Sequence, residues 1–167
     1  MSDRTAAAAC AIVAVLLTVS VVGTATVLRS ARSQSSPGLS GACQLGQLVD
    51  TGDIYSTSAF TVVLFVRSSC GASVASVPNF RAIAQLVEVS PTTRIVVVPT
   101  ETWSEEAAAF VGEMGLSEAN VRMLDVARLK VKVVPTMLVV DRAGRIRLVQ
   151  EGISSESPVE AVRSIVG

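Results

Sequence analysis

Hydrophobic and polar positions along the chain change their pattern three times. From Ala6 to Leu28 no charged residue occurs, and 23 residues of helix span roughly 34 Å, about a bilayer core. The only polar side chains in this run are Thr and Ser, which hydrogen-bond back onto their own helix. Residues 30–41, Ser-Ala-Arg-Ser-Gln-Ser-Ser-Pro-Gly-Leu-Ser-Gly, then lose all apolar periodicity and read as a flexible tether. Beyond the tether the periods alternate. Phe60–Val66 (FTVVLFV) is a continuous β-branched and aromatic run, expected as a strand buried on both faces. Ala72 to Val87 carries Val74, Val77, Phe80, Ile83, Ala84 and Val87 at helical spacing, with Arg81, Gln85 and Glu88 on the polar side.

Residues Arg94 to Pro99 (RIVVVP) predict a second buried strand. Thr102-Trp103-Ser104-Glu105 fits a capping box and opens a helix ending near Met114 and Gly115. A short strand is expected around Val121 to Met123. Thr136 to Val140 and Arg145 to Gln150 flank Asp141-Arg142-Ala143-Gly144, a hairpin turn in which Gly144 supplies the left-handed position. Ser157-Pro158-Val159-Glu160 combines a cap, proline at the first helical position and glutamate at the third. It opens a last helix with the stripe Val159, Val162, Ile165 and Val166. The order is strand, helix, strand, helix, hairpin, helix. The expected fold is α/β: a mixed central sheet covered by helices on both faces, behind one N-terminal transmembrane helix. The expected organisation is an anchor at 1–29, a linker at 30–47 and one domain at 48–167.

A cleaved signal peptide is the alternative to an anchor, since Gly23-Thr24-Ala25 offers a small-residue site behind the apolar core. Apolar character continuing to Leu28 favours the anchor. Arg4 lies on one side of the run and Arg29 and Arg32 on the other, so flanking charge leaves the orientation open.

Charge and composition mainly exclude. The 14 basic residues balance 14 acidic ones, so no nucleic-acid partner is expected. The chain has no histidine. That removes Ser-His and Cys-His nucleophile pairs, His-ligated zinc and histidine general-base catalysis. Gly71-Ala72-Ser73-Val74-Ala75 imitates part of a hydrolase nucleophile elbow, but has no histidine to serve it. Three scattered cysteines have no metal-ligand spacing, and neither a metal nor another cofactor is expected.

Cys70 remains. It falls between the first buried strand and the first helix, where unpaired N–H groups and the positive end of the helix dipole favour thiolate. Ser68, Ser69, Gly71 and Ala72 around it are small, so the sulfur should be reachable. Pro78, eight residues on, removes a hydrogen bond from the helical pattern and must kink it. Pro135, in Val134-Pro135-Thr136, opens the hairpin's first strand at a position open to a cis bond.

Taken together, FTVVLFV, Ser69-Cys70-Gly71-Ala72-Ser73, Pro78, Val131-Lys132-Val133-Val134-Pro135-Thr136 and the hairpin LVVDRAGRIRLV resemble a thioredoxin-fold protein. Most of all they resemble the membrane-anchored TlpA/ResA-like thiol-disulfide oxidoreductases of bacteria, over about residues 48–167. The resemblance implies that Cys70 attacks disulfides and that Pro135 is the cis-proline of a loop facing it. It implies protein thiols or disulfides, or small thiols, as partners, and a domain on the outer, periplasmic side of the cell membrane, where disulfides persist. Residues 6–28 would hold it there.

The site residues so assigned are Cys70, Ser73 and Pro135, and Ser73 departs from the family. It stands where the second cysteine of Cys-x-x-Cys belongs, and a hydroxyl cannot resolve a mixed disulfide. The tryptophan often found before the first cysteine is replaced by Ser69. Two readings follow: a monothiol redox protein, with Cys43 a candidate resolving thiol, or an interaction module that has lost dithiol chemistry. Cys70-Gly71-Ala72-Ser73 also resembles the Cys-Gly-Phe-Ser motif of cluster-binding monothiol glutaredoxins, but the lysine and glutathione-binding pattern of that family are absent.

Overall fold

Seven consecutive residues without a charge or a breaker, Phe60–Val66, form the central strand β1, and every residue after Phe60 is buried. A computed structural model describes residues 43–49, 52–126, 129–152 and 157–167 of the chain, which belong to one unit running from Gly41 to Gly167. Strand β2 (Thr93–Pro99) pairs with β1 in parallel, Phe60 opposite Thr93 through Val66 opposite Pro99. On the other side of β1 runs β3 (Thr136–Asp141), antiparallel, followed by β4 (Ile146–Glu151). The sheet order is β2-β1-β3-β4. Val139 pairs with Leu148 and Val140 with Ile146, so Arg147 is the extra residue of a bulge. Gly144 adopts φ +78° in the hairpin turn, as expected, and Asp141 accepts the N–H groups of Ala143 and Arg145.

The expected helix from Ala72 to Val87 is two helices, not one kinked helix. α1 (Gly71–Ala75) stops at Ser76, and α2 (Val77–Glu88) restarts with Pro78 in its first turn. The physical reason is the missing proline N–H. At the start of a helix that donor has no partner to lose, whereas in mid-helix it would leave a carbonyl orphaned. The Ser76 hydroxyl bonds back to the Ala72 carbonyl and its N–H to the carbonyls of Ala72 and Ser73, closing the first segment.

Helix α3 (Glu105–Glu113) is capped two residues later than the capping box predicts. Ser104, extended at φ −144°, accepts the Ala107 N–H, and Gly115 at φ +76° follows the last turn. At α4 (Pro158–Val166) the proline sits as expected, but Ser157 makes no side-chain cap bond; Glu160 pairs with Arg163 instead. The short strand at Val121 to Met123 reduces to one parallel bridge, Val121 to Val97.

The two faces of the sheet are covered differently. Val62, Leu64, Val66, Ile95, Val97, Met137 and Val139 face a cluster containing Phe80, Ile83 and Val87 of α2, Phe110 and Val111 of α3, and Val162 of α4. All three longer helices therefore bury their stripes on one face, correcting the expectation of helices on both. On the opposite face, Val63, Phe65, Val96, Val98, Leu138 and Val140 pack against Cys43, Tyr55 and Leu129, with Ile54, Leu124, Val131 and Val134 at the margin. No α-helix among the described residues contributes to that cluster: Ile54 and Tyr55 come from the short 3-10 turn Gly52–Tyr55, the rest of the cover is irregular chain, and backbone hydrogen bonds tie residues 46–49 to the hairpin. The Gly46 N–H donates to the Ile146 carbonyl at 2.8 Å, the Ile146 N–H to the Gln47 carbonyl at 3.0 Å, and Leu48 bridges to Arg145. Residues 43–47, the end of the expected linker, are thus paired with or packed on the domain. No helix among the described residues is long and apolar enough to cross a membrane. The apolar run 6–28 and the tether as far as residue 42 lie outside the described residues.

Candidate functional site

Parallel pairing of β1 and β2 brings the C-terminal ends of both strands to one edge of the sheet, Val66 beside Pro99. The residues that follow each strand therefore meet. Thr100 donates its N–H to the Val66 carbonyl at 2.9 Å. Two residues beyond the strands, the Glu101 carboxylate accepts the Ser68 N–H at 2.6 Å and the Ser69 hydroxyl at 3.4 Å. This carboxylate fastens the turn that delivers Cys70.

Cys70 is the N-cap residue of α1, extended at φ −92° and ψ 115°, and its side chain is partly exposed. Its thiol lies 3.6 Å from the Val134 carbonyl, and the Val134–Pro135 peptide bond is cis. The expected site residues Cys70 and Pro135 are thus brought to the same edge, with Val134 between them. Pro135 itself is buried, so the loop presents main chain and the half-exposed Val133 rather than the proline ring.

Ser73 is wholly buried one turn into α1, and its oxygen accepts the Arg67 N–H at 3.3 Å. That bond uses an oxygen lone pair and leaves the hydroxyl proton for the sulfur. The Cys70 thiol pKa lies below its ordinary value. The Ser73 N–H is the largest cause, partial desolvation opposes it, and the Ala72 N–H, the Ser73 hydroxyl and the Arg67 charge lower it further. α1 has only five residues, so individual N–H groups near the sulfur account for the effect better than a macrodipole does. The sequence reading treated Ser73 as a lost thiol; the structure makes it a donor to the remaining one.

Cys43 is the opposite kind of thiol. It is buried in the cluster with Phe65 and Leu138, and its Sγ donates to the Leu129 carbonyl at 2.9 Å. Burial pushes its pKa up, the Glu151 charge adds to this, and its own backbone and Lys130 oppose. Both thiols are free. Cys10 lies outside the described residues. No group of three or more His, Cys, Asp or Glu side chains among the described residues is placed to hold a metal ion.

Two residues of this site escaped the sequence reading. Glu101 had one available signal: it stands two residues past a strand that must be parallel to β1 for the intervening helix to cross over. Arg67 contributes through its N–H and its charge, and nothing in the local sequence marks it.

Strand order, the broken helix, and a cysteine opposite a cis-proline loop allow comparison with solved structures. The thioredoxin domain of a thiol-disulfide oxidoreductase from Bacteroides vulgatus superposes with a TM-score of 0.57 at 15% identity, covering 79% of this chain and 99% of that one. The fold is thioredoxin-like. StoA from Bacillus subtilis gives a TM-score of 0.52 at 17% identity, over 74% of this chain and 96% of that one. A secreted Mycobacterium tuberculosis disulfide oxidoreductase homologous to Escherichia coli DsbE gives 0.51 at 18% identity, over 66% and 83%. No family model matches the sequence, and no curated protein sequence does. At these identities the likeness establishes the thioredoxin-like fold, while chemistry has to be argued from the residues of this chain.

Proposed function

We propose that this protein acts in thiol-disulfide exchange through one cysteine, Cys70, and is held on the outer side of a cell membrane by residues 6–28. The observation that carries the reading is the setting of Cys70: a partly exposed sulfur at the start of α1, with its pKa depressed and the Val134–Pro135 loop opposite. In this reading Cys70 attacks as thiolate and one S–S bond of the partner breaks. The departing sulfur leaves as thiolate and takes its proton from water. Ser73 holds the attacking charge through its N–H and hydroxyl, and the loop ending at Pro135 positions the partner's chain. Protein disulfides, with protein thiols or small thiols to release Cys70 from the mixed disulfide, are the partner class this chemistry requires. Thiol-disulfide oxidoreductases among the solved structures of similar fold support the assignment by analogy.

The test is a pH series of alkylation rates for the full chain in mild detergent, with the modified residue identified by mass spectrometry. Cys70 is expected to react with a midpoint clearly below that of a free thiol. A midpoint at or above the free-thiol value would count against the reading. Membrane attachment is tested separately by fractionation, where deleting residues 1–28 should move the protein from the membrane to the soluble fraction.

The absence of a second thiol from the motif favours an alternative, a thioredoxin-fold interaction module without redox turnover. Cys70→Ser separates the two. Partner capture that survives the substitution supports the module, and capture that depends on the sulfur supports exchange.

A further inference from the structure

Two leucines stay exposed where the chain enters the domain. Leu45 and Leu48, at 69% and 58% exposure, belong to a segment that hydrogen bonds fix against the hairpin. The Gly46 N–H donates to the Ile146 carbonyl and the Val49 N–H to the Gly144 carbonyl, each at 2.8 Å, and Arg145 Nη1 donates to the Gly46 carbonyl at 3.4 Å. Leu48 and Arg145 are partners in an antiparallel bridge, and side chains directly opposed in such a pair share one side. Their neighbours Val49 and Ile146 pack on the core, so Leu48 and Arg145 are held outward together. Arg142 and Arg147 are exposed as well. Asp141 offsets little of this charge: one oxygen accepts the Ala143 and Arg145 N–H groups, and the other lies 3.8 Å from the solvent-exposed Arg147 guanidinium.

We propose that this corner of the domain docks on an anionic phospholipid surface, with the leucines at the headgroup boundary and the guanidiniums on lipid phosphates. The proposal rests on the reading of residues 6–28 as a membrane anchor, and it names the face that meets the lipid. Exposed leucines beside cations are the combination that interfacial binding uses, apolar insertion together with attraction to anionic headgroups. Arginine's planar fork of donors matches phosphate oxygens. Chain length acts in the same direction. The 14 residues 29–42 separate the apolar run from Cys43, and a flexible chain of that length has a root-mean-square span of roughly 20 Å. The anchor therefore keeps the bilayer at high effective concentration around the segment that begins the domain.

The sheet gives this docking a consequence for Cys70. Phe60 pairs with Asp141 at the hairpin end of β1, whereas Cys70 follows Val66 at the other end. The length of β1, at about 3.3 Å per residue, puts roughly 20 Å between the two ends. A domain docked by its hairpin turns Cys70 away from the lipid, toward partners in the aqueous phase.

The test reconstitutes the full chain in phosphatidylcholine vesicles, with or without phosphatidylglycerol, carrying nitroxide on some lipid headgroups. A fluorescent amino acid replaces Gln44 or, as the control at the Cys70 end, Val74. In anionic vesicles, quenching at Gln44 is expected to exceed that at Val74 about threefold or more, and about 1 M salt should bring it down to the level of phosphatidylcholine alone. Arg142→Gln with Arg145→Gln and Arg147→Gln should reproduce the effect of salt, and Leu45→Ser with Leu48→Ser should lower quenching further. The salt series leaves the docking face unsubstituted, so the result does not depend on a variant's folding. Equal quenching at both positions, in a chain that resists alkaline carbonate extraction, would overturn the docking face and leave the anchor standing. Release of the chain by carbonate would overturn the anchor, and the proposal with it. A concentration-dependent dimer lost with the two leucines, without preferential quenching, would assign the face to a second copy of the chain and overturn the lipid.

Discussion

The two described cysteines are expected to respond to pH with opposite signs. The Cys70 pKa is depressed in the folded chain, so its thiolate favours folding as pH rises past the folded value, with the full contribution above the unfolded value. The pKa of Cys43 is raised, chiefly by burial, so its neutral thiol supports folding below the unfolded value and that support is lost as pH rises toward the folded one. Cys43→Ala is therefore expected to flatten the alkaline fall in unfolding midpoint measured between neutral pH and about pH 10, and an unchanged alkaline limb would count against that assignment. Ser73→Ala removes one hydroxyl donor while leaving the backbone N–H groups in place. Its alkylation midpoint should move up toward that of an ordinary thiol, with the neutral-pH rate falling roughly threefold, a small effect because the sulfur is partly exposed. Glu101 acts at one remove, since it touches the turn rather than the sulfur.

Elements in this protein are delimited by single residues whose conformations the chain cannot exchange freely. Gly144 holds φ +78°, with the Tyr55 ring 3.5 Å from where a Cβ would sit. That distance is an ordinary contact, so the cost of Gly144→Ala is the left-handed backbone, about 1–2 kcal/mol. A denaturant titration should show a lower midpoint at unchanged slope. Ser104 caps α3 through the Ala107 N–H, and Ser104→Ala should cost about 1 kcal/mol in the same measurement. The predicted cap at Thr102 placed the same helix two residues early, because Thr102 has Glu105 three residues on and fits the motif, whereas Ser104, which has Ala107 there, caps the helix through its hydroxyl alone. Pro78 shows the converse: its position in the sequence predicted a discontinuity, and only the backbone showed that the helix ends and restarts there.

For the whole molecule, stability rests on a sheet whose central strand is buried on both sides. Phe65 is fully buried, among Val63, Val96, Leu138 and Cys43. Phe65→Ala should cost about 3–5 kcal/mol, a large share of the roughly 5–15 kcal/mol that holds a domain folded. Thermal unfolding should show a much lower midpoint or no cooperative transition. A midpoint within a few degrees of wild type would mean that this face of the sheet is repacked by the chain that covers it. That cover, which includes Cys43, Val49, Ile54, Tyr55, Leu124, Leu129, Val131 and Val134, has apolar side chains but no α-helical period, which is why pattern reading assigned it to linker and loops. Helical stripes showed that three helices need a partner surface without saying which face each would take.

Sequence by itself determined the strands β1, β2, β3 and β4, the hairpin turn at Gly144, and the thiol at Cys70, because unbroken β-branched runs, turn glycines and strand-to-helix junctions are local signals. The resemblance to thioredoxin-fold oxidoreductases set Ser73 where such a motif would carry a second cysteine. Tertiary structure decided what Ser73 does, because the Arg67 N–H that engages its oxygen and the sulfur that its hydroxyl faces meet only where β1 gives way to α1. It placed Glu101 against Ser68 through the parallel register of two strands 33 residues apart along the chain. It also buried Cys43 away from solvent, where its place just after the tether had made it a candidate resolving thiol for Cys70. The feature that began as half of a dithiol motif is, in three dimensions, a sulfur with its charge supported and no second thiol beside it among the described residues.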